Sequence, residues 1–348
     1  MKTRSAILVE TGKPLVISDL EIPALKPGQV LVEIEFSGVC HTQLLECRGY
    51  RGVDKFLPHC LGHEGSGTVR EVGSGVTLVK PGERAILSWI KGAGLDVPGT
   101  QYSWNGKAVN AGGVTTFSRH AVISENRITP LREEFPMRIA ALLGCAVPTG
   151  VGSVINAAEA KSGQSVAVFG LGGVGLSAIA GAAMAGAAPI IGIDLRPEKF
   201  EIALKMGMTH GIDPRKGDFA QALKALCPAG LDIAIEATGT APVMRQALQS
   251  VRGQGGKAVI VGNARHGEML ELDPKEFNQG KRLLGTWGGD TVPQRDLPRY
   301  VRLFREGKLR VEPLISRMFS LAQINEALDA LETGQTVRPL IDLSLADS

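Results

Sequence analysis

Gly170-Leu171-Gly172-Gly173-Val174-Gly175 has GxGxxG spacing, between a short apolar run (Ser165 to Phe169) and a small-residue stretch of helical character (Val174 to Ala187). Glycines so placed allow a tight turn, let the backbone approach a pyrophosphate and present a helix N-terminus that favours phosphate charge. Asp194 lies 194 − 175 = 19 positions past the last motif glycine, at the end of the next apolar run, where a carboxylate can bind ribose hydroxyls. Its charge repels a 2′-phosphate, which predicts NAD rather than NADP. Arg196 and Lys199 soften that choice, since at helix-start spacing they either meet a phosphate, line the adenosine ribose or face solvent. A second set of residues is scattered: Cys40 in Gly38-Val39-Cys40-His41-Thr42, His63 in Gly62-His63-Glu64-Gly65, and Cys145 in Leu143-Gly144-Cys145. Two thiolates and an imidazole suit Zn²⁺, and three protein ligands leave the fourth position open for water or substrate. Spacing alone does not bring the three together, and on chemistry alone a small, inert core cysteine is the commoner outcome.

The elements that must hold these residues fall into two textures. Gln29-Val30-Leu31-Val32-Glu33-Ile34-Glu35-Phe36 alternates apolar with polar over most of its length after a Pro27-Gly28 turn, the pattern of a strand with one wet face. Short strands and glycine-rich turns continue through Gly62 to Gly67 and Val72 to Gly75, so the first part reads as a β-rich domain. From Thr149 onward, apolar runs at 165–169, 190–193, 232–235, 257–261 and 282–284 alternate with helical candidates at 197–206, 218–226 and 242–251. Buried strands alternating with helices mean βαβ units and a parallel sheet. The expected organisation is an α/β protein with a catalytic domain over 1–148, a doubly wound nucleotide-binding domain over 149–287, and a return of 288–348 to the first domain, ending on Pro339-Leu340-Ile341-Asp342-Leu343.

With 348 residues, 44% of them hydrophobic, the chain has enough apolar surface for about two folded domains. A net charge of +3 gives no reason to expect nucleic acid as a partner. Five scattered cysteines are a poor disulfide framework and fit a reducing, cytoplasmic setting. The stretch before Glu10 is too short for a signal-peptide core, and no run reads as a membrane span.

Taken together and in order, Cys40-His41-Thr42, Gly62-His63-Glu64-Gly65-Ser66-Gly67, Leu143-Gly144-Cys145 with Thr149-Gly150, and Gly170 to Gly175 resemble the zinc-dependent medium-chain alcohol dehydrogenases over nearly the whole chain, and most of all their liver-type and glutathione-dependent formaldehyde dehydrogenase branch. The resemblance implies a GroES-like catalytic domain and a Rossmann domain. It makes Cys40, His63 and Cys145 the ligands of one catalytic zinc, and Glu64 a carboxylate just behind the metal. Thr42 becomes the hydroxyl that bonds the substrate oxygen, and His41 a basic group near the pyrophosphate. Thr149 and Lys199 join the cofactor contacts, and Arg338 is a second phosphate contact.

Three departures stand out. The family's structural-zinc lobe needs four cysteines, yet the segment from Ser88 to Phe117 has none, so one zinc per chain is expected, with a polar, glycine-containing loop around Trp104-Asn105-Gly106-Lys107 in place of the lobe. Gln43 stands where an Asp usually orients the zinc-bound histidine. Leu45 replaces the histidine that ends the proton relay, which leaves water or His41 as the exit.

The implied reaction is hydride transfer from a primary or secondary alcohol to NAD, with zinc as Lewis acid. Its substrate is a small molecule: a simple alcohol, a polyol, a sugar derivative or a carrier-bound hydroxymethyl group. One rival is a zinc-free NADPH-dependent alkene or quinone reductase of the same superfamily, which would have a broken ligand triad. Another is an NADH-binding redox sensor without turnover. The resembling enzymes pair the edges of their nucleotide-binding sheets, so Arg282 to Trp287 is the expected edge of a homodimer, with a tetramer as the alternative.

Overall fold

The structure, a computed structural model, describes residues 1–345. The chain divides into two units, one of Met1–Cys145, Val292–Val301 and the segment from Ile315 onward, the other of Ala146–Thr291 and Arg302–Leu314. Residues 302–314 thus group with the nucleotide-binding unit and not with the returning segment in which the sequence had placed them.

The first unit joins a closed barrel to a seven-stranded sheet. The barrel runs through Lys2–Leu8, Val16–Glu21, Gln101–Trp104, Lys107–Asn110 and His59–Cys60. In the sheet, the order is Ile128–Leu131, Arg84–Ser88, Glu64–Val72, Gln29–Gly38, Arg338–Asp342 and Ile315–Phe319, and His120–Ser124 also pairs with Gln29–Gly38. The Gln29–Gly38 strand does start after the Pro27-Gly28 turn, where Gly28 has φ +76°. It has no wet face over its first half, because two cores cover it. Val30, Val32 and Ile34 pack with Val69, Leu87 and Ile341, whereas Leu31 packs with Ile7, Leu20, Tyr102 and Val109 of the barrel. Val122 also joins Leu31 in that barrel core.

The segment expected as a loop around Trp104-Asn105-Gly106-Lys107 is a hairpin. Strands Gln101–Trp104 and Lys107–Asn110 pair antiparallel across Asn105 (φ 50°) and Gly106 (φ 79°). Two consecutive residues at positive φ are what a two-residue hairpin turn needs, and Asn-Gly supplies them at small cost. The last strand, Arg338–Asp342, pairs antiparallel with Gln29–Gly38, Leu340 opposite Gly38, so the chain returns to its first unit.

The second unit is a six-stranded parallel sheet in the order His210–Ile212, Ile190–Ile193, Val166–Phe169, Ile233–Glu236, Lys257–Ile260 and Arg282–Gly285. That is the 3-2-1-4-5-6 order of a doubly wound nucleotide-binding sheet. Strand residues such as Val166 to Phe169 are buried throughout, as parallel strands covered on both faces must be. The helices lie at Glu198–Lys205, Phe219–Leu226 and Ala241–Ser250, within a residue or two of their sequence signals. Asp218 caps one of them by accepting from Ala220 N–H at 2.9 Å.

The helix after the glycine motif, Gly173–Met184, crosses the helix Ala146–Gly152 at backbone contact. A Cβ on Gly150 would sit 2.2 Å from the Val174 carbonyl oxygen and 2.5 Å from Ser177 Cβ. Gly150→Val should therefore destabilise the nucleotide-binding unit by roughly 1–3 kcal/mol through overpacking. Calorimetry of the two chains checks this, and an unchanged melting profile would contradict the close crossing.

Candidate functional site

Each expected metal ligand stands at the end of an element. Cys40 follows the Gln29–Gly38 strand and is the N-cap of the helix His41–Cys47. His63 follows Gly62 (φ +91°) and enters the Glu64–Val72 strand. Cys145 follows the helix Met137–Leu142, which is tied to the sheet by Ser66 Oγ donating to the Met137 carbonyl at 2.7 Å. Gly144 must be glycine for this approach, because a Cβ there would meet the Leu87 carbonyl at 2.2 Å and Glu64 Cβ at 2.7 Å. Ser88 Oγ donates to the Gly144 carbonyl at 2.7 Å and fixes the same turn.

The two Sγ atoms and a His63 ring nitrogen lie within 4.8 Å of one another, and His63 Nε2 is 3.1 Å from Cys145 Sγ. Tetrahedral zinc ligands at about 2.0–2.3 Å from the ion stand roughly 3.5 Å apart, so separation and donor chemistry both fit zinc. Three donors leave a fourth position open. Trp89 stands edge-on to His63, centroids 6.4 Å apart.

Burial of so much potential negative charge needs compensation. Glu64 is 0% exposed and Arg338, which donates to it, only 3% exposed. Gly38 makes room for that carboxylate, since a Cβ there would fall 1.9 Å from Glu64 Oε1. The hydrogen bond from the Cys145 thiol holds Cys40 well below the usual thiol range despite burial, with the Arg338 and His63 charges adding to the effect. The same hydrogen bond, together with burial and the nearby Cys40 and Glu64 charges, pushes Cys145 well above that range. Burial opposes the His63 imidazolium, but the Cys40 thiolate and Glu64 raise its pKa on balance. Arg338 is likewise raised, because Glu64 and the two cysteines outweigh its desolvation.

The remaining expected residues fall as follows. Thr42 is half-buried with Oγ1 3.9 Å from Cys40 Sγ, and His41 is exposed on the same helical turn. Arg338, expected at a cofactor phosphate, is buried and donates to Glu64, while its Nε finds no partner among the described residues. Gln43 touches His63 Nδ1 and also caps its own helix by accepting from Cys40 N–H at 3.1 Å. Three features escaped the sequence reading: the Arg338 to Glu64 pair, the Trp89 contact and the capping by Gln43. Only the last had a local signal, the cap-x-x-Gln spacing of a capping box.

In the nucleotide-binding unit, the three motif glycines differ in what surrounds them. Gly170 has φ +90°, which the turn requires. A Cβ on Gly175 would sit 1.8 Å from the Gly170 carbonyl, so this glycine sets the strand-to-helix packing. A Cβ on Gly172 would meet nothing within 4 Å. That open space lies at the N-cap of the helix Gly173–Met184, in front of the Gly173 and Val174 backbone, where a pyrophosphate fits. Asp194 closes the turn by accepting from Leu171 N–H at 2.7 Å and pairs with Lys199 at 3.0 Å. Thr149 Oγ1 is buried and finds no hydrogen-bond partner among the described residues.

Residues 26–133 match the family described as alcohol dehydrogenase GroES-like domain, and residues 173–306 match zinc-binding dehydrogenase. An alcohol dehydrogenase class-3 from Cereibacter sphaeroides is 34% identical over 375 residues, covering 98% of this chain and 100% of that protein. An S-(hydroxymethyl)glutathione dehydrogenase from Synechocystis is 35% identical over 368 residues, with the same shares covered. Among solved structures, an alcohol dehydrogenase zinc-binding domain protein from Burkholderia ambifaria superposes with a TM-score of 0.92 at 30% identity, over 99% of each chain. The ligand cluster, the doubly wound sheet and these full-length likenesses agree, and the chain belongs to the zinc-binding alcohol dehydrogenase family.

Proposed function

We propose that this alcohol dehydrogenase oxidises a primary or secondary alcohol with NAD, around one zinc held by Cys40, His63 and Cys145. The observation that carries the reading is the convergence of those three donors, distant in sequence, within 4.8 Å. Zinc held there supplies a Lewis acid that lowers the pKa of the substrate hydroxyl toward neutrality. Thr42 accepts the hydroxyl proton, and because Leu45 offers no relay, water or the exposed His41 carries it away. Glu64, held by Arg338, keeps a fixed carboxylate behind the sulfurs. Gly172 and the helix N-terminus receive the pyrophosphate, Asp194 and Lys199 the adenosine ribose, and the unpartnered Thr149 hydroxyl remains for the cofactor.

The substrate belongs among simple alcohols, polyols, sugar derivatives and carrier-bound hydroxymethyl groups, the last supported by the names of the relatives. A zinc-free reductase is disfavoured by the filled ligand triad. We also propose a homodimer, because the edge strand Arg282–Gly285 is exposed at both ends and is followed by Trp287, 75% exposed. No helix among the described residues is long and apolar enough to cross a membrane. Five buried free cysteines support the cytoplasm as its compartment.

Metal analysis should find one zinc per chain, and Cys145→Ser should lose it together with about 10³-fold in kcat/KM, the several kcal/mol that a Lewis acid contributes. An NAD-reduction screen across primary, secondary and sugar alcohols is the companion measurement, and activity unchanged in Cys145→Ser would refute the site. Gly172→Ala should leave the melting temperature unchanged and weaken NAD binding about tenfold, while Gly175→Ala should lower the melting temperature, at a cost of roughly 1–3 kcal/mol in stability. Equal effects of the two would refute the separate roles. Light scattering at micromolar concentration should return the mass of a dimer, and a monomer would refute the edge pairing.

A further inference from the structure

Gln43 meets two neighbours that make opposing demands on one amide. Cys40 N–H donates to Gln43 Oε1 at 3.1 Å. A backbone N–H can only donate, so the oxygen end of the amide must face Cys40, and the NH₂ end is left against His63 Nδ1. An amide NH₂ donates and does not accept, so His63 Nδ1 must be the acceptor. The neutral ring then carries its proton on Nε2, the nitrogen that faces Cys145 Sγ at 3.1 Å. A protonated nitrogen has no lone pair for a metal.

We propose that Gln43 is a positioning residue that holds metal-free His63 in the non-ligating tautomer, so that zinc uptake requires the Gln43 amide to turn over. The proposal rests on Cys40, His63 and Cys145 being the zinc ligands. After the turn, Oε1 accepts from His63 Nδ1–H, Nε2 is free to ligate, and the Cys40 N–H loses its acceptor. A cavity of about 420 Å³, lined by Gln43, His63 and Glu46 among others, adjoins this side chain. Every zinc atom bound therefore works against one buried hydrogen bond, and the site holds metal less tightly than its three donors allow. Glutamate at position 43 has the same length and two acceptor oxygens, one for Cys40 N–H and one for His63 Nδ1–H, and capping boxes accept Glu as readily as Gln.

The test compares the native chain with Gln43→Glu. Zinc alone, in competition with a chromophoric chelator, should be held about 10-fold more tightly by Gln43→Glu, the lower end of the effect of such outer partners. Long-range ¹H–¹⁵N spectra of the metal-free, ¹⁵N-histidine-labelled chain under alkaline conditions, with His63 assigned by its loss in His63→Gln, should show the proton on Nε2 in the native chain and on Nδ1 in Gln43→Glu. A native metal-free His63 protonated on Nδ1, or a folded Gln43→Glu that holds zinc no more tightly, overturns the proposal. If Gln43→Glu does not fold, the native spectrum decides. A native chain that binds no zinc refutes the ligand assignment itself, while the spectrum still reports on the tautomer.

Discussion

Negative charge gathered in a buried space is the constraint on which the rest of the structure depends. Two thiols and the Glu64 carboxylate occupy a region almost closed to water, where unpaired charge is costly. Arg338 answers it from the other end of the sequence, on the strand that pairs with Gln29–Gly38. That strand carries Gly38, whose missing Cβ admits the Glu64 carboxylate, and runs directly into Cys40. Sheet pairing, glycine placement and charge balance are thus one arrangement, and the metal ligands are positioned as a result of it.

The nucleotide-binding unit solves a different problem with the same economy of side chains. Its motif brings a strand and a helix into contact and still leaves a hollow at the helix N-terminus. Gly170 provides the bend, Gly175 the close packing and Gly172 the hollow. Asp194 then fastens the turn through Leu171 N–H while Lys199 offsets its charge. The acid is held by bonds within its own unit, Leu171 N–H and Lys199 on one oxygen and Arg196 N–H on the other.

Much of this was legible because the parallel strands are continuous apolar runs and the glycine motif sits between a strand and a helix. The ligand triad was legible only through resemblance, since nothing local in Cys40, His63 or Cys145 shows that they meet. What the sequence hid was tertiary in origin. His210–Ile212 is three residues long and mostly exposed, so its strand character comes from pairing with Ile191 to Ile193 and not from periodicity. The Gln29–Gly38 strand looked half-wet because its polar residues alternate, yet over its first half the barrel covers the second face through Leu31. Asn105-Gly106 did carry a hairpin signal, and the reading of that segment as a loop gave it too little weight. The pairing of Arg338 with Glu64 was hidden because an arginine says nothing of a carboxylate 274 positions away.

The separation between Glu64 and Arg338, 274 positions, also sets a timetable. At about 5–20 residues per second, a ribosome takes roughly 15–55 s to travel from the acid to its cation. Over that interval the growing chain carries Cys40 and Glu64, and later Cys145 as well, with neither the arginine nor the strand that bears it. Until the guanidinium arrives, these groups avoid the cost of unpaired buried charge only by staying hydrated or protonated, so the closed core around Glu64 forms late in synthesis.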